Sequence, residues 1–149
     1  MRTVKRKSRG VRRRAAAPTS LRLPPELRTG VEALARQRGE SLNAALRRLV
    51  EEGVRMAGCP GIIFVDGPSG RRACVAGSGI DVWEVMRTLK SCGGDEAAMR
   101  ELYPSLPHVQ VTAALRYAKA YPDEIAERIA RAERWESEAV DSFPTLKLP

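Results

Sequence analysis

The first fourteen residues hold the densest set of side chains with an evident chemical use. Of the 26 lysines and arginines in the chain, eight lie in residues 1–14 beside no acidic residue, which leaves 18 to balance the 18 acidic residues elsewhere. Like charges at this density repel one another until a polyanion neutralises them. Because neutralised phosphates release counterions, we expect this arm to contact nucleic acid, with a solvated tail as the alternative. The eight are Arg2, Lys5, Arg6, Lys7, Arg9, Arg12, Arg13 and Arg14.

Side chains that catalyse reactions or bind metal are sparse and poorly spaced for either task. The three cysteines, at positions 59, 74 and 92, form no CxxC pair, and His108 is the only histidine. A structural zinc site needs about four closely placed ligands. The run Gly77-Ser-Gly79 lacks the lysine and the spacing of a phosphate-binding loop. We therefore expect no enzyme, no cofactor and no metal site.

Composition limits the setting in which the chain works. No apolar run approaches the length of a membrane span, and the N-terminal charges are not followed by the apolar core of a secretory signal. An odd number of cysteines without close pairs fits reduced thiols, so we expect a cytoplasmic protein. With 149 residues, 43% of them hydrophobic, the chain can form one medium or two small domains that gain from oligomerisation.

A short alternating segment joins the arm to two predicted helices. In residues 18–23, Ser20 and Arg22 share one face of a predicted strand with Pro18, and the other face carries Thr19, Leu21 and Leu23. Pro25 suits the first turn of a helix, whose apolar residues recur at helical spacing until Gly39. Ser41 can cap a second helix that carries one apolar stripe. A lone strand this short is unstable, so it needs a partner.

The order of strand, helix, turn and helix across residues 18–57 resembles the ribbon-helix-helix family of the Arc and CopG type. The local marks are the L-R-L-P-x-E-L entry to the first helix and G-x-S-x-N at the start of the second. The resemblance implies an obligate homodimer in which two strands pair antiparallel across a two-fold axis. It also implies that the resulting ribbon enters the major groove of double-stranded operator DNA.

The same resemblance assigns roles to individual residues. Arg22 would read guanine with its forked donors, and Ser20 would be a less selective reader. Ser41 and Asn43, at the start of the second helix, would clamp a phosphate. Pro18 stands where the family usually has a polar reader, and Arg22 or Asn43 could instead be solvated surface residues. The arm residues expected to follow phosphates or the minor groove beside the ribbon are Arg12, Arg13 and Arg14.

The middle of the chain, residues 62–121, predicts three short helices with tight turns, a helix-turn-helix-like bundle. Residues 72–83, together with LYPSL at 102–106 and ALRYA at 114–118, look like the domain of unknown function four-three-three, which occurs in VapB-like antitoxins. Three positions depart from that pattern, because Ala73, Ser78 and Gly79 replace proline, threonine and arginine. The turn and hydrophobic positions are kept, so the predicted fold is unaffected.

The end of the chain, residues 122–149, predicts a charged helix from Pro122 to about Val140 and then an apolar tail. The tail and one side of the helix either pack on the chain's own core or fill a partner's groove. VapB-like antitoxins use this part to wrap a PIN-like ribonuclease toxin, often with an inhibitory arginine, and the resemblance implies the same here. The candidate partner-binding residues are Arg128, Arg131, Arg134, Trp135 and Phe143.

Taken together, the sequence predicts a mainly α-helical protein. We expect a basic arm (1–17), a ribbon-helix-helix domain (18–57), a linker (58–61), the small helical domain (62–121) and the C-terminal helix with its tail (122–149). The predicted function is that of a dimeric antitoxin that represses its own operon and neutralises a PIN-like toxin. The alternatives are a plain repressor without a toxin partner and an interaction adaptor whose arm binds RNA or lipid without sequence preference.

Overall fold

The computed structural model describes residues 20–142, which form two compact units, the first ending at Ala45 and the second beginning at Leu46. Six helices and one two-stranded antiparallel sheet occur within the described residues. The predicted mainly helical fold is confirmed, with the small sheet as an addition. The elements are α1 (Pro25–Arg38), α2 (Leu42–Gly58), β1 (Ile62–Gly67), β2 (Gly70–Val75), α3 (Val82–Ser91), α4 (Glu96–Leu102), α5 (His108–Ala120) and α6 (Pro122–Ser142).

The first two helices start and stop where their local sequence predicts. Pro25 occupies the first turn of α1, where its missing N–H costs nothing. Gly39 ends α1 in the left-handed conformation, with φ of 64°, and its N–H donates to Arg36 O over 3.2 Å. The Oγ of Ser41 accepts a hydrogen bond from the Ala44 N–H over 3.2 Å, which confirms Ser41 as the cap of α2.

The predicted strand before α1 stays a prediction. Residues 20–24 form neither helix nor strand in the single chain, and Thr19 lies outside the described residues. The partner that the ribbon-helix-helix arrangement requires belongs to a second chain, so its strand pairing is not tested by one copy. The compact units divide inside α2. Of residues 58–61, expected as a linker, Gly58 ends α2 and the other three form a bend and turn before β1.

In the second unit α2 is followed by a β-hairpin, which adds a small sheet to the helical domain predicted over residues 62–121. Its register runs from Ile62 opposite Val75 to Gly67 opposite Gly70, with a two-residue loop of Pro68 and Ser69. The returning strand was not predicted from the sequence, because its residues Arg71 and Arg72 break the apolar alternation that marks a half-buried strand.

An aspartate precedes α3 and another precedes α4, and each contributes a different hydrogen bond to the start of its helix. Asp81 precedes α3, and its N–H donates to the Glu84 carboxylate over 2.8 Å. Asp95 precedes α4, and its Oδ1 accepts from the N–H groups of Ala97 and Ala98 over 2.8 and 3.3 Å. These contacts satisfy N–H groups that have no partner inside a helix.

One hydrophobic core joins the hairpin to helices α3, α4, α5 and α6. Gly61 sets the approach of the hairpin to α5, because it has φ of 92° and a Cβ there would lie 3.0 Å from the Cβ of Ala113. Ile125 of α6 is buried in the same core, and Ile129 packs against it. The largest fully buried side chains are those of Tyr117, Met99, Val75, Val82, Val85 and Val111.

Candidate functional site

The predicted DNA-contacting residues of the first unit lie on its surface. Ser20, Arg22, Ser41 and Asn43 are all exposed. Arg22 has no ion-pair partner within residues 20–142, so its guanidinium is available to a ligand. The Oγ of Ser41 serves as a cap, which leaves the exposed start of α2 open to an anion. The arm residues Arg12, Arg13 and Arg14 lie outside the described residues.

A groove in the second unit brings together three of the five predicted partner-binding residues. It has a volume of about 620 Å³ and lies between the hairpin loop, α3 and α6. Arg128, Arg131 and Trp135 line one side of it, whereas Arg134 is exposed on α6 and Phe143 lies outside the described residues. The other lining residues are Pro68, Ser69, Trp83, Glu84, Arg87, Ala132 and Glu136. We call this cavity the α3–α6 groove.

The two tryptophans of the α3–α6 groove differ in how firmly they are held. The Trp83 Nε1 donates to Asp81 Oδ2 over 3.0 Å, and the guanidinium of Arg87 lies over its ring at 5.4 Å from the centroid. Arg87 also forms an ion pair with Glu136 of α6. Trp135, by contrast, is 65% exposed. An aromatic side chain with this exposure on a structured helix is typical of a contact surface.

A buried ion pair supports the Trp83 wall of the groove. The Nε of Arg72 lies 2.5 Å from Asp81 Oδ2, and Asp81 is only 5% exposed. A Cβ at position 67 would lie 1.5 Å from the Arg72 Nη1, so the close approach of this guanidinium to the hairpin requires Gly67. The ion pair therefore fixes the hairpin end relative to the start of α3.

The arginines of α6 are held in different ways. Arg128 donates to the carbonyl oxygen of Ser69 over 3.1 Å and to that of Arg71, so its guanidinium ties α6 to the hairpin. Arg131 pairs with Glu127 over 3.0 Å along the helix, and its side chain is 52% exposed. An exposed pair of this kind contributes little stability. Arg131 can therefore exchange its partner for a ligand carboxylate more easily than Arg128 can.

A polar network ties the C-terminal part of α2 to the rest of the second unit. The Nη1 of Arg55 donates to the Tyr117 hydroxyl over 3.1 Å, and this hydroxyl donates to Glu124 Oε2 over 3.0 Å. Burial raises the pKa of Tyr117 above its ordinary value, although the Arg55 hydrogen bond opposes the change. Arg71 donates to both carboxylate oxygens of Glu52 over 2.6 and 2.7 Å, and this bidentate contact raises the pKa of Arg71.

Cysteine and metal-ligating side chains are dispersed through the part of the chain that the structure describes. Within residues 20–142 there is no group of three or more His, Cys, Asp and Glu side chains that could hold a metal ion. Cys59, Cys74 and Cys92 are free thiols, the first two buried. Burial raises the pKa of the Cys74 thiol, which opposes formation of a nucleophilic thiolate. None of the helices in the described part of the chain is long and apolar enough to cross a membrane.

Comparison with known proteins covers the middle of the chain. Residues 67–118 match the family described as "Protein of unknown function (DUF433)". This confirms the similarity predicted for residues 72–118, and the match extends from the end of β1 through most of α5. It covers neither the predicted ribbon-helix-helix segment nor α6. No curated protein and no solved structure matches the chain.

Sequence reasoning did not anticipate the α3 side of the groove. Trp83 and Arg87 lie one helical turn apart on α3, and this spacing places them on one face. This spacing was visible in the sequence. That the two residues share a groove with Trp135 depends on the packing of α3 against α6, which are separated by about fifty residues in the chain. The network of Arg55, Tyr117 and Glu124 was missed for the same reason, since its members are distant in sequence.

Proposed function

We propose that this protein is a dimeric DNA-binding antitoxin, which represses its own operon through the first unit and binds a nuclease toxin through the second. The observation that carries the DNA-binding part is a set of apolar side chains that are exposed to solvent in the single chain. Leu21 and Val54 are each 64% exposed and Val50 is 56% exposed. Leu21 lies in the predicted strand and the two valines lie on α2, and apolar side chains of these two segments are what a ribbon-helix-helix dimer would bury against a second copy.

The surface charges of the first unit support contact with DNA. Ser20 and Arg22 occupy the predicted strand face opposite Leu21, so pairing of two strands leaves them pointing away from the dimer core. Arg22 is unpaired within the described residues and suits guanine recognition. The basic arm leads into this segment and supplies the charge for phosphate contacts.

Support for the toxin-binding part comes from the α3–α6 groove. Its apolar floor with the exposed Trp135 provides an aromatic anchor, and Arg131 and Arg134 lie next to it on α6. These features suit a partner that presents an apolar rim around a cluster of carboxylates, which is the chemistry of a metal-dependent nuclease site. Family resemblance, rather than any contact in the single chain, makes the PIN-like ribonuclease the specific candidate.

A plain repressor is the second candidate. The DNA-binding part of the proposal does not depend on the groove, and the groove could be occupied by a ligand that modulates repression. Its volume of about 620 Å³ lies within the range of small-molecule sites. This alternative shares the dimer and the DNA site with the antitoxin and differs only in the partner of the second unit.

The dimer is tested by sedimentation velocity on the full chain and on Val54→Asp. We expect the wild type to sediment as a dimer and the variant as a folded monomer, because a buried unpaired carboxylate opposes association. Gln37→Asp, which adds the same charge at an exposed position of α1, is the control and should remain dimeric. A monomeric wild type, or a Val54→Asp chain that stays dimeric, would refute the proposed dimer.

DNA binding is tested with a duplex from the region upstream of the reading frame. We expect Arg22→Ala to weaken binding by about 1–3 kcal/mol and to relax sequence preference. Arg28→Ala, which removes a charge already paired with Glu32, is the matched control and should bind as the wild type does. If Arg22→Ala binds as tightly and as selectively as the control, the predicted ribbon does not read DNA.

A further inference from the structure

The outward face of α5 carries positive charge that the rest of the second unit does not neutralise. Arg116 and Lys119 are exposed there and have no ion-pair partner within residues 20–142. The sequence of α5, HVQVTAALRYAKA, contains no acidic residue. Arginines that face the interior of the second unit behave differently, since Arg55, Arg71 and Arg72 are all paired with carboxylates.

The exposed residues of α5 form one continuous row along the helix. His108, Thr112, Arg116 and Lys119 are spaced by four, four and three residues, and Val109 beside them is 72% exposed. The buried residues lie on the other side. They are Val111, Ala113, Ala114, Tyr117 and Ala118.

The helix that carries this row packs firmly against the rest of the second unit. The buried side of α5 packs against the hairpin, α3 and α6, and Tyr117 is fully buried within the polar network. Gln110 at its edge donates to the carbonyl oxygen of Ala76 over 2.9 Å. A contact face on a helix fixed in this way needs little ordering when it binds a ligand.

We propose that the exposed face of α5 is a second DNA-contact site, which enters the major groove of double-stranded DNA. A helix of 13 residues is about 20 Å long, and the major groove, about 12 Å wide, admits an α-helix. Val109 and the Thr112 methyl suit the thymine methyl group, and the Thr112 hydroxyl can bond a base edge. Arg116 suits guanine or phosphate, and Lys119 suits phosphate.

The chemistry of the face favours DNA over two other partners. Burial of unpaired Arg116 and Lys119 against a protein would cost free energy unless that partner supplied matching carboxylates. Double-stranded RNA is disfavoured because the major groove of an A-form helix is too deep and narrow for side chains to read. The site is separate from the predicted ribbon, so the inference goes beyond the proposed function.

The test compares two double variants of the full chain on the upstream duplex, between about 50 and 200 mM salt. Arg116→Ala with Lys119→Ala removes two charges from α5. Lys90→Ala with Arg100→Ala removes from α3 and α4 two exposed charges that have no ion-pair partner within residues 20–142, and is the charge-matched control. Circular dichroism confirms that each remains folded, and Arg22→Ala is measured in parallel.

We expect the α5 variant to bind about tenfold more weakly or worse, with the slope of log K against log salt reduced by about 1.8 for each chain of the dimer whose α5 contacts DNA, while the control changes neither. Loss of affinity in the α5 variant alone, with Arg22→Ala unaffected, would support the α5 site and refute the predicted ribbon. Equal affinity of the α5 variant and the control refutes the α5 site, whether or not Arg22→Ala weakens binding. Absence of any DNA binding by the wild type also refutes it.

Discussion

Arg55 near the end of α2 donates a hydrogen bond to the hydroxyl of Tyr117 in α5 over 3.1 Å, and this contact lies at the centre of the polar network that holds the second unit together. The same hydroxyl donates to Glu124, and Arg55 pairs with that carboxylate as well. A fully buried phenol is thereby satisfied as both acceptor and donor. The arrangement anchors the part of α2 from Leu46 onward to the helix whose other face we propose to contact DNA.

Tyr117→Phe tests this network through its dependence on pH. Burial raises the folded-state pKa of Tyr117, whereas the phenol in the unfolded chain has a pKa of about 10. Above that pH the unfolded state releases a proton that the native state keeps, so the free energy of unfolding falls as pH rises. We expect urea unfolding to show this fall in the wild type and a smaller one in Tyr117→Phe.

At neutral pH the same variant should lose about 1–2 kcal/mol, because two hydrogen bonds of the hydroxyl are removed. Tyr103→Phe is the control, since its hydroxyl makes a single contact with Thr88 over 3.2 Å in a partly buried position. An alkaline slope that is the same in Tyr117→Phe and the wild type would show that this phenol is not the titrating group.

Asp81→Asn tests the buried ion pair behind Trp83. The substitution keeps an acceptor for the indole N–H but removes the charge that neutralises Arg72, and breaking a buried pair costs about 3–5 kcal/mol. Asp95→Asn changes the equivalent position before α4, where the side chain is exposed, and should cost less than about 1 kcal/mol. Chemical unfolding measures the stability of both variants. Equal losses of stability would contradict the assignment of Arg72 and Asp81 as a stabilising pair.

Gly67→Ala tests the packing of Arg72 against the hairpin. The added methyl group would occupy the space of the Arg72 guanidinium, so we expect a loss of about 1–3 kcal/mol in stability. Ser69→Ala, an exposed change in the adjacent loop, should leave stability within about 0.5 kcal/mol of the wild type. Thermal unfolding that fails to separate these two variants would argue against the close approach.

The arginines of α6 should separate into structural and partner-binding groups. Arg128→Ala removes two charge-assisted hydrogen bonds to hairpin carbonyl oxygens and should cost about 1.5–3 kcal/mol. Arg134→Ala removes an exposed side chain and should leave stability within about 0.5 kcal/mol. Stability is measured by urea unfolding, and an Arg128→Ala chain as stable as Arg134→Ala would exclude the anchoring role.

The sequence was most informative where a single residue type determines a local conformation. Gly39 and Ser41 marked helix ends correctly because a left-handed residue or a capping oxygen acts within one turn. The hairpin escaped prediction because its second strand combines Arg71 and Arg72 with small residues, and only pairing with β1 reveals its strand character. Its signal was a two-residue loop flanked by Gly67 and Gly70.

The candidate partner site was likewise predicted only in the part that one helix contributes. Trp135 was identified from its position on a charged helix and Arg131 from the resemblance to VapB-like antitoxins, yet the surface they form also includes Trp83 and Arg87, which α3 contributes. Periodicity describes one helix at a time and gives no information on which helices pack together. The pairing of residues across a dimer interface is still harder to predict from periodicity, because the partner strand lies in another chain.

The most direct test of the proposed antitoxin function is co-purification with the product of the adjacent reading frame, using a tag on this chain alone. The full chain is compared with Trp135→Ala, which removes the exposed anchor of the α3–α6 groove, and with Val109→Ala, which removes an exposed apolar side chain from α5. We predict that the neighbouring protein co-purifies with the wild type and with Val109→Ala and is lost with Trp135→Ala. If nothing co-purifies with the wild type, or if Trp135→Ala retains the partner fully, the groove is not a toxin-binding site.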